Sequence, residues 1–241
     1  MMSLRIMTFN VAACREPSRG IVDVAQTIEQ EQPDFVALQE VDKFTRRSGS
    51  EIDQLVELAR HAHISHMLYV PAMDYQGGQY GNGILSKHDF DTVALTHLDG
   101  RNQGEPRSLG IVSFKLNNDE KLFFGVVHLE HEIVELREAQ VKEVIELYRR
   151  MELYKQPFIL AGDFNDEPIS QTIQLITTEC DLQLPYDQCS KTFPADNPTI
   201  TIDYIFMNQK AMEMFELNSY RTSNTNISSD HLPLIMELKQ K

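Results

Sequence analysis

Short apolar runs and longer segments with helical spacing alternate along the chain. The mostly apolar segments have strand length and predict strands at residues 4–9, 35–38 and 122–127. In residues 21–30 the apolar positions recur every three or four residues up to Pro33, which predicts an amphipathic helix. The longest helical pattern covers residues 132–151. Together these patterns predict an α/β fold.

Weaker patterns extend the same alternation. Helices are expected over residues 52–62 and from residue 169, and strands at residues 69–71, 84–86, 92–98, 109–116, 199–206 and 234–238. Four glycines within residues 77–83 precede one of these strands, but no Gly-Lys-Ser/Thr follows, so they are not a phosphate-binding P-loop. We expect them to permit a tight turn into the strand, with Tyr80 and Asn82 facing a cleft.

Polar side chains follow several strands at the point where each strand ends. The first strand ends at Asn10, the second at Gln39-Glu40, and the strand at 122–127 at His128. Each residue alone is an ordinary loop residue. Because the ends of neighbouring strands lie close together, the set predicts a functional site at one edge of a sheet.

The apolar run at residues 158–162 ends with Asp163-Phe164-Asn165. Residues i and i+2 of an extended chain point to the same side, so we expect Asp163 and Asn165 to face one spot. A carboxylate and a carboxamide at a strand end suit a hard divalent cation or the orientation of a water molecule. The alternative is a turn held by Asx hydrogen bonds, for which Asp and Asn are typical residues.

One carboxylate interrupts an apolar, β-branched run. Asp203 lies between Ile202 and Tyr204, and burying a carboxylate without a partner costs several kcal/mol. The segment Ser229-Asp230-His231-Leu232-Pro233, just before the last strand, offers an imidazole. We predict that Asp203 is ionised, is hydrogen-bonded to His231 and raises the pKa of that histidine.

Two arginine-bearing segments leave alternatives open. Arg107 suits a bidentate contact with a phosphate, and a plain surface arginine fits the same pattern. The charged segment 42–54, with Arg46 and Arg47, either faces a substrate or is a solvated connection. The solvated connection is the favoured interpretation.

Composition narrows the class of protein. The 241 residues are 41% hydrophobic and 24% charged, which is ordinary for a soluble globular protein. No linker, low-complexity run or repeat divides the chain, so one domain over residues 1–241 is predicted. The formal net charge of −14 disfavours a protein that grips long nucleic acid through its whole surface.

Cysteines and clustered histidines give no metal motif. The cysteines are odd in number, lack metal spacing and are interpreted as reduced, incidental thiols: Cys14, Cys180 and Cys189. Three nearby histidines match no zinc pattern and are expected at or near the surface: His61, His63 and His66. No apolar run approaches the ~20 residues of a membrane span, and the N-terminus leads almost directly into a strand. A cytoplasmic protein without integral membrane association is expected.

Six short motifs, taken in order, resemble those of the endonuclease/exonuclease/phosphatase superfamily, the DNase I-like metal-dependent phosphoesterases. They span nearly the whole chain: Thr8-Phe9-Asn10, Leu38-Gln39-Glu40, His128-Leu129, Gly162-Asp163-Phe164-Asn165, Ile202-Asp203-Tyr204-Ile205 and Ser229-Asp230-His231-Leu232-Pro233. Any one motif is weak, whereas six in order are specific. The resemblance implies a four-layer α/β sandwich, with two mixed β-sheets face to face, helices outside and the active site at the strand ends.

The resemblance also implies roles for individual residues. Glu40 corresponds to the principal Mg²⁺ or Mn²⁺ ligand, with Asn10 and Asp230 nearby. Asp163 and Asn165 correspond to the pair that orients the attacking water and the phosphate. The remaining positions contact the phosphate or support such a contact: His231 at the scissile phosphate, Asp203 fixing its tautomer, His128 as a second phosphate contact and Arg107 as a looser match.

The resemblance implies a metal-dependent phosphoesterase that hydrolyses a phosphodiester by metal-assisted attack of water, and the chemistry of these residue types supports the same assignment. No serine or cysteine nucleophile with a paired base is evident, which disfavours a covalent intermediate. A small phosphodiester or a lipid-derived headgroup is the favoured substrate, and a monomer is expected. One alternative is an endonuclease or exonuclease acting on DNA or RNA. The other is a non-catalytic binding module on the same scaffold.

Overall fold

The computed structural model describes residues 2–15, 20–98, 104–116, 120–184, 190–223 and 228–241. These residues form twelve strands: β1 (Ser3–Asn10), β2 (Phe35–Lys43), β3 (His66–Tyr75), β4 (Gly78–Ser86), β5 (Asp91–Leu98), β6 (Arg107–Lys115), β7 (Lys121–His128), β8 (Phe158–Asp163), β9 (Leu182–Gln183), β10 (Asp203–Asn208), β11 (Phe215–Thr222) and β12 (Leu234–Gln240). They also form five α-helices: α1 (Ile21–Glu31), α2 (Gln54–His61), α3 (Val134–Arg150), α4 (Gln171–Glu179) and α5 (Gln209–Met214). Short 3₁₀ turns occur at Ala12–Cys14 and Leu153–Lys155.

The strands form two six-stranded mixed sheets with one common layout. The first has the order β11-β12-β1-β2-β4-β3, and the second has the order β5-β6-β7-β8-β10-β9. In each sheet a central parallel pair, β1 with β2 or β7 with β8, is flanked by antiparallel strands. Although the two sheets share this layout, the sequence shows no detectable internal repeat.

The two sheets pack face to face around a fully buried apolar layer. Both sheets contribute to it, as in the stacked Phe35 and Phe114 rings, whose centroids are 4.0 Å apart. Helices α1 and α2 cover the outer face of the first sheet, and α3 and α4 cover that of the second. The predicted four-layer α/β sandwich is therefore confirmed. One domain over residues 1–241 stays a prediction.

The glycine-rich segment matches its prediction in part: Gly77, with a φ of 87°, lies in the turn before β4, whereas the other three glycines lie within β4. A Cβ atom on Gly78 would lie 2.2 Å from the carbonyl oxygen of Lys43, and one on Gly81 would lie 2.2 Å from that of Val70. These glycines allow a close approach of neighbouring backbones along β4. The expected strand at 199–206 also differs, since β10 begins only at Asp203.

Helix ends follow ordinary capping chemistry. The Asp53 carboxylate accepts a hydrogen bond from the Val56 N–H at the start of α2, and Ser170 does the same for Ile173 at the start of α4. Helix α1 ends at Glu31, and the next residue, Gln32, takes a left-handed conformation just before Pro33. Local sequence therefore fixes where these helices begin and end.

Candidate active site

Topology brings the polar strand ends to one edge of the sandwich. The strands β1, β7 and β8 end there, β2 passes this edge at Gln39 and Glu40 before it ends at Lys43, and the antiparallel strands β6 and β10 begin there. A cleft of about 350 Å³ opens at this edge. Its lining comprises Glu40, Arg47, Met73, Tyr75, Tyr80, Glu105, Arg107, His128, His131, Asp163, Asn165, Phe193, Asp230 and His231.

A bulge in β2 determines where Glu40 points. The register between β2 and β4 shifts between Leu38 and Val41, and Glu40 has a φ of 58° in the left-handed region. That conformation is uncommon for a residue with a side chain and marks sites where the surrounding structure fixes the backbone. The bulge interrupts the regular alternation of β2, and the Glu40 carboxylate lies in the cleft.

Two carboxylates from different sheets converge on the Asn10 side chain. Asn10 Nδ2 donates to Glu40 Oε1 at 3.1 Å and to Asp163 Oδ2 at 3.0 Å. Its Oδ1 accepts from the Ala12 N–H at 3.1 Å, and the Ser229 hydroxyl donates to its backbone carbonyl at 2.7 Å. The floor of the cleft therefore joins the two sheets through one buried amide.

Asp163 and Asn165 meet through a turn rather than through strand alternation. Strand β8 ends at Asp163, and Asn165 has a φ of 51°. The Asn165 backbone N–H donates to Asp163 Oδ1 at 2.9 Å, which is an Asx turn. The two interpretations of this segment are therefore compatible, because the Asx turn itself places both side chains in the cleft.

Burial affects the protonation of Asp163 strongly. The residue is fully buried, and burial together with the nearby Asp203 carboxylate raises the pKa of Asp163 to about 7. Imidazole nitrogens of His128 and His231 lie 3.6 and 3.8 Å from Asp163 Oδ2. The carboxyl group can therefore exchange a proton near neutral pH.

The predicted pair of Asp203 and His231 is confirmed. His231 Nδ1 lies 2.9 Å from Asp203 Oδ2, and both side chains are buried. Burial lowers the pKa of His231, but Asp203, aided by Asp163 and Asp230, outweighs it and raises that pKa to about 10. The ring is therefore protonated at neutral pH, with Nε2 toward Asp163.

A buried arginine and a neutral histidine form another wall of the cleft. Arg107 Nη1 lies 3.0 Å from His128 Nδ1, and Nη2 lies 3.1 Å from His131 Nδ1. Glu105 Oε1 is 2.9 Å from Nη1. Burial, with the charge of Arg107, lowers the pKa of His128 well below its usual value, so this ring is neutral. Arg107 is thus a cleft residue rather than a surface arginine.

Comparison with known proteins assigns the family. The family model described as the endonuclease/exonuclease/phosphatase family matches residues 7–231. The chain belongs to this family. Members of the family are hydrolases that act on phosphoester bonds. No significant match to a curated protein is found.

Solved structures share the fold at low sequence identity. An endonuclease/exonuclease/phosphatase from Beutenbergia cavernae has a TM-score of 0.81 at 24% identity, covering 100% of this chain and 72% of that one. A mannosyl-6-phosphatase of Bacteroides thetaiotaomicron has a TM-score of 0.76 at 20% identity, with 98% and 99% covered. The 2′,3′-cyclic phosphatase ANGEL2 has a TM-score of 0.76 at 14% identity, with 98% and 95% covered.

The family implies a metal ion, and the residues of the cleft fit one. Glu40 and Asp163 bring oxygen ligands to one point, and the Asp230 carboxylate lies in the same cleft. Carboxylate and amide oxygens are the ligands that hard divalent cations prefer. The two carboxylates converge on the Asn10 Nδ2 group, which carries a partial positive charge. A cation fits beside this group, where it would replace that partial charge with a full one.

A second set of ligands lies deeper in the site. Asp163, Asp203 and His231 offer one ligand atom each within 4.8 Å of one another. However, Asp203 and His231 are already hydrogen-bonded to each other, and the raised pKa of His231 keeps its ring protonated. A protonated imidazole does not bind a metal. The side of the cleft formed by Glu40 therefore fits a cation better.

Two further predicted residues differ in their placement. Tyr80 lines the cleft as expected. Asn82 is 1% exposed and does not line it; its amide donates to the Ser108 carbonyl at 2.9 Å and lies 3.2 Å from the Ser108 hydroxyl. The expectation that Asn82 faces the cleft is therefore wrong. Its side chain joins β4 of one sheet to β6 of the other.

The sequence did not identify one side of the cleft. Met73, Tyr75 and Phe193 line it without any local pattern that marks them. Arg47 lines it too, although a solvated connection was the favoured interpretation of its segment. The available signal was the excess of charge around Arg46 and Arg47, which does not distinguish a surface loop from a cleft wall.

The clustered histidines and the described cysteines lie outside the cleft. His61, His63 and His66 are half-buried or exposed, each within 3.5–3.7 Å of a different carboxylate. Cys14 and Cys180 are free thiols, and Cys189 lies outside the described residues. Among the described residues, no helix is long and apolar enough to cross a membrane.

Proposed function

We propose that this protein is a divalent-metal-dependent phosphoesterase that hydrolyses a small phosphodiester by attack of water. One observation carries the proposal. Glu40 and Asp163, from separate sheets, converge on Asn10 in a cleft that also holds the Asp203–His231 pair. A water-activating group, a protonated imidazole and an oxygen-rich cation site are what phosphodiester hydrolysis requires.

Glu40 would be the principal ligand of Mg²⁺ or Mn²⁺, with Asn10 and Asp230 beside it. When bound, such an ion withdraws charge from phosphate oxygens and stabilises the charge of the transition state. The half-buried position of Glu40 and its fixed backbone favour a preorganised ligand.

Asp163 and Asn165 would position the attacking water. With a pKa of about 7, Asp163 is poised to accept a proton from that water near neutral pH. The Asn165 amide is held by the Leu129 carbonyl, to which Nδ2 donates at 2.9 Å. This bond leaves the carbonyl oxygen of the amide as an acceptor for the second hydrogen of the water.

His231 and Arg107 would neutralise the phosphate. The protonated His231 donates through Nε2 to a phosphate oxygen, while Asp203 holds the ring in place through Nδ1. Arg107 supplies a buried permanent charge against the neutral His128 ring. His128, near Asn165 Nδ2 at 3.1 Å, would be the second imidazole to contact the phosphate.

Charge favours a small substrate over long nucleic acid. The net charge of −14 repels polyanions over a Debye length of about 8 Å at physiological salt. Nearby arginines offer few free phosphate contacts: Arg47 is paired with Asp42, and Arg137 with Asp166 and backbone carbonyls. A duplex nuclease needs several such contacts to successive phosphates.

Turnover of matched substrates tests this proposal. We expect bis(4-nitrophenyl) phosphate to be hydrolysed, with either Mg²⁺ or Mn²⁺, at a higher kcat/KM than 4-nitrophenyl phosphate or plasmid DNA. Its rate should change little between about 50 and 200 mM salt, because one phosphate displaces few counterions. Plasmid nicking at low enzyme concentration that falls steeply with salt would contradict the small substrate and favour a nuclease.

A further inference from the structure

One wall of the cleft is a stack of an arginine on two tyrosines. The Arg47 guanidinium carbon lies 4.5 Å from the centroid of the Tyr75 ring and 5.3 Å from that of Tyr80. The two rings are 6.3 Å apart and tilted by 54°. All three side chains line the cleft. None of them has a part in the hydrolysis proposed above.

A fully buried carboxylate fixes this arginine. Arg47 Nε and Nη2 donate to the two oxygens of Asp42 at 2.6 and 2.7 Å. The Asp42 carboxylate also accepts from the Thr45 hydroxyl at 2.9 Å and from Ser48. Asp42 thus neutralises the charge of Arg47 and accepts from two of its five N–H groups, leaving those of Nη1, one on Nη2 and the planar face.

Tyr80 connects this wall to the phosphate-binding residues. Its ring lies under Arg47. Burial raises the pKa of the phenol, and the hydroxyl lies close enough to Arg107 and Glu40 that both charges also act on this pKa, Glu40 raising it and Arg107 lowering it. A phosphate held near Glu40 and Arg107 therefore has Arg47 about one phenol ring away. An alcohol esterified to that phosphate is therefore within reach of the Arg47 wall.

We propose that Arg47, held by Asp42 on Tyr75 and Tyr80, is a stacking platform that selects phosphoesters whose alcohol carries a flat aromatic ring, such as a nucleobase. This inference rests on the proposed function. A guanidinium that a carboxylate neutralises and holds against aromatic rings presents its planar face to a ligand, and arginine faces stack on planar rings. Arg47 is the specificity residue, and Asp42 positions it.

The same geometry disfavours two other alcohols. A quaternary ammonium group such as choline binds the faces of aromatic rings, but Arg47 already occupies the cation position over Tyr75 and Tyr80. A sugar without a base has no flat ring to stack on the planar face of Arg47, whose charge Asp42 already neutralises. A flat ring is the ligand that remains.

Adenosine 5′-monophosphate and ribose 5-phosphate test the platform, because they share the sugar and phosphate and differ only in the base. Both are measured with Mg²⁺ as competitors of bis(4-nitrophenyl) phosphate hydrolysis. We expect the nucleotide to bind wild type about tenfold more tightly. In Arg47→Leu and Arg47→Lys the ratio should fall to within about twofold, since neither residue has a planar face.

A neighbouring arginine provides the matched control. Arg46 is exposed and adjacent in sequence, so Arg46→Leu removes one charge and should leave the tenfold ratio unchanged. Thermal unfolding of each variant checks that the fold is retained. If Arg47→Lys keeps the ratio, Arg47 acts through its charge and the platform is overturned.

The wild-type ratio separates this inference from the proposed function. Hydrolysis of the diester with equal binding of the two competitors would overturn the platform and leave the phosphoesterase intact. No hydrolysis of any phosphoester would instead contradict the proposed function. A tenfold ratio that is lost only in the Arg47 variants supports the platform.

Discussion

Charged side chains at the two ends of the sandwich have opposite surroundings. At the end away from the cleft, a surface depression is lined by four lysines, Lys121, Lys155, Lys210 and Lys241. Lys210 lies 2.9 Å from Glu213 with both side chains about half exposed, at 48% and 49%. At the cleft end, Asp203 and His231 are 1% and 7% exposed and face the further buried carboxylate of Asp163.

The comparison distinguishes exposed charges, which cost little folding free energy, from buried charges, which cost much. An exposed ion pair remains solvated at both partners and contributes little to stability. Buried charges lose their hydration, and Asp163 responds with a pKa raised to about 7. Asp203 Oδ1 is buried without a hydrogen-bond partner among the described residues. A fold that retains such an arrangement is under a constraint other than stability, and we assign that constraint to chemistry.

The largest expected effect is on turnover and comes from Glu40→Gln. The amide keeps the shape of the side chain but loses the charge proposed to hold the cation, so kcat should fall by about a thousandfold. Steady-state hydrolysis of bis(4-nitrophenyl) phosphate in Mg²⁺ measures it. Glu213→Gln, at the far end, is the matched control and should hydrolyse at the wild-type rate. Equal turnover of both variants would contradict the claim that the charge of Glu40 is needed for hydrolysis.

Asp203→Asn should affect both turnover and the alkaline limb of stability. The folded pKa of His231 is about 10, above the ~6.5 of the unfolded chain. The stabilisation is therefore fully present below about pH 6.5 and is lost as pH rises through 10. Without the Asp203 charge, the decline in unfolding free energy between pH 7 and 10 should flatten. Denaturant titrations of metal-free protein measure it, and an unchanged slope would count against the pair.

The smallest expected effect is on acid stability and comes from His128→Gln. The folded pKa of His128 lies well below its usual value, so the unfolded chain takes up a proton first as pH falls. Stability is therefore full above about pH 6.5 and decreases below it. The unfolding free energy of the variant should therefore fall less than that of wild type between about pH 6.5 and 5. The exposed His63→Gln should follow wild type, and a His128→Gln curve parallel to wild type would refute the assignment.

The sequence predicted the site best where the chemistry of a residue in its expected surroundings allowed few possible structures. Asp203 in an apolar strand required a partner, and His231 supplies it at 2.9 Å. The polar ends of β1, β2, β7 and β8 predicted a shared edge, because parallel strands end on the same side of a sheet. These inferences depend on periodicity and on the cost of burying charge, both of which are local.

Features that depend on long-range packing could not be predicted. The bulge that directs Glu40 reflects pairing of β2 with β4, which follows about forty residues later in the chain. Arg47 reaches the cleft because Asp42 holds it against tyrosines of β3 and β4. Asn82 is withdrawn from the cleft by Ser108 of the other sheet. In each case a contact with a residue distant in sequence, for Arg47 the two tyrosines, contributes to the position.

Metal-dependent turnover by the wild-type protein tests the central claim most directly. Hydrolysis of bis(4-nitrophenyl) phosphate would be followed after removal of divalent ions with excess chelator and again after Mg²⁺ or Mn²⁺ is restored, with circular dichroism recording the fold. We predict no turnover in chelator, an unchanged fold, and recovery with either ion. Full activity in excess chelator, or no hydrolysis of any phosphoester by the folded, metal-loaded protein, would contradict the account.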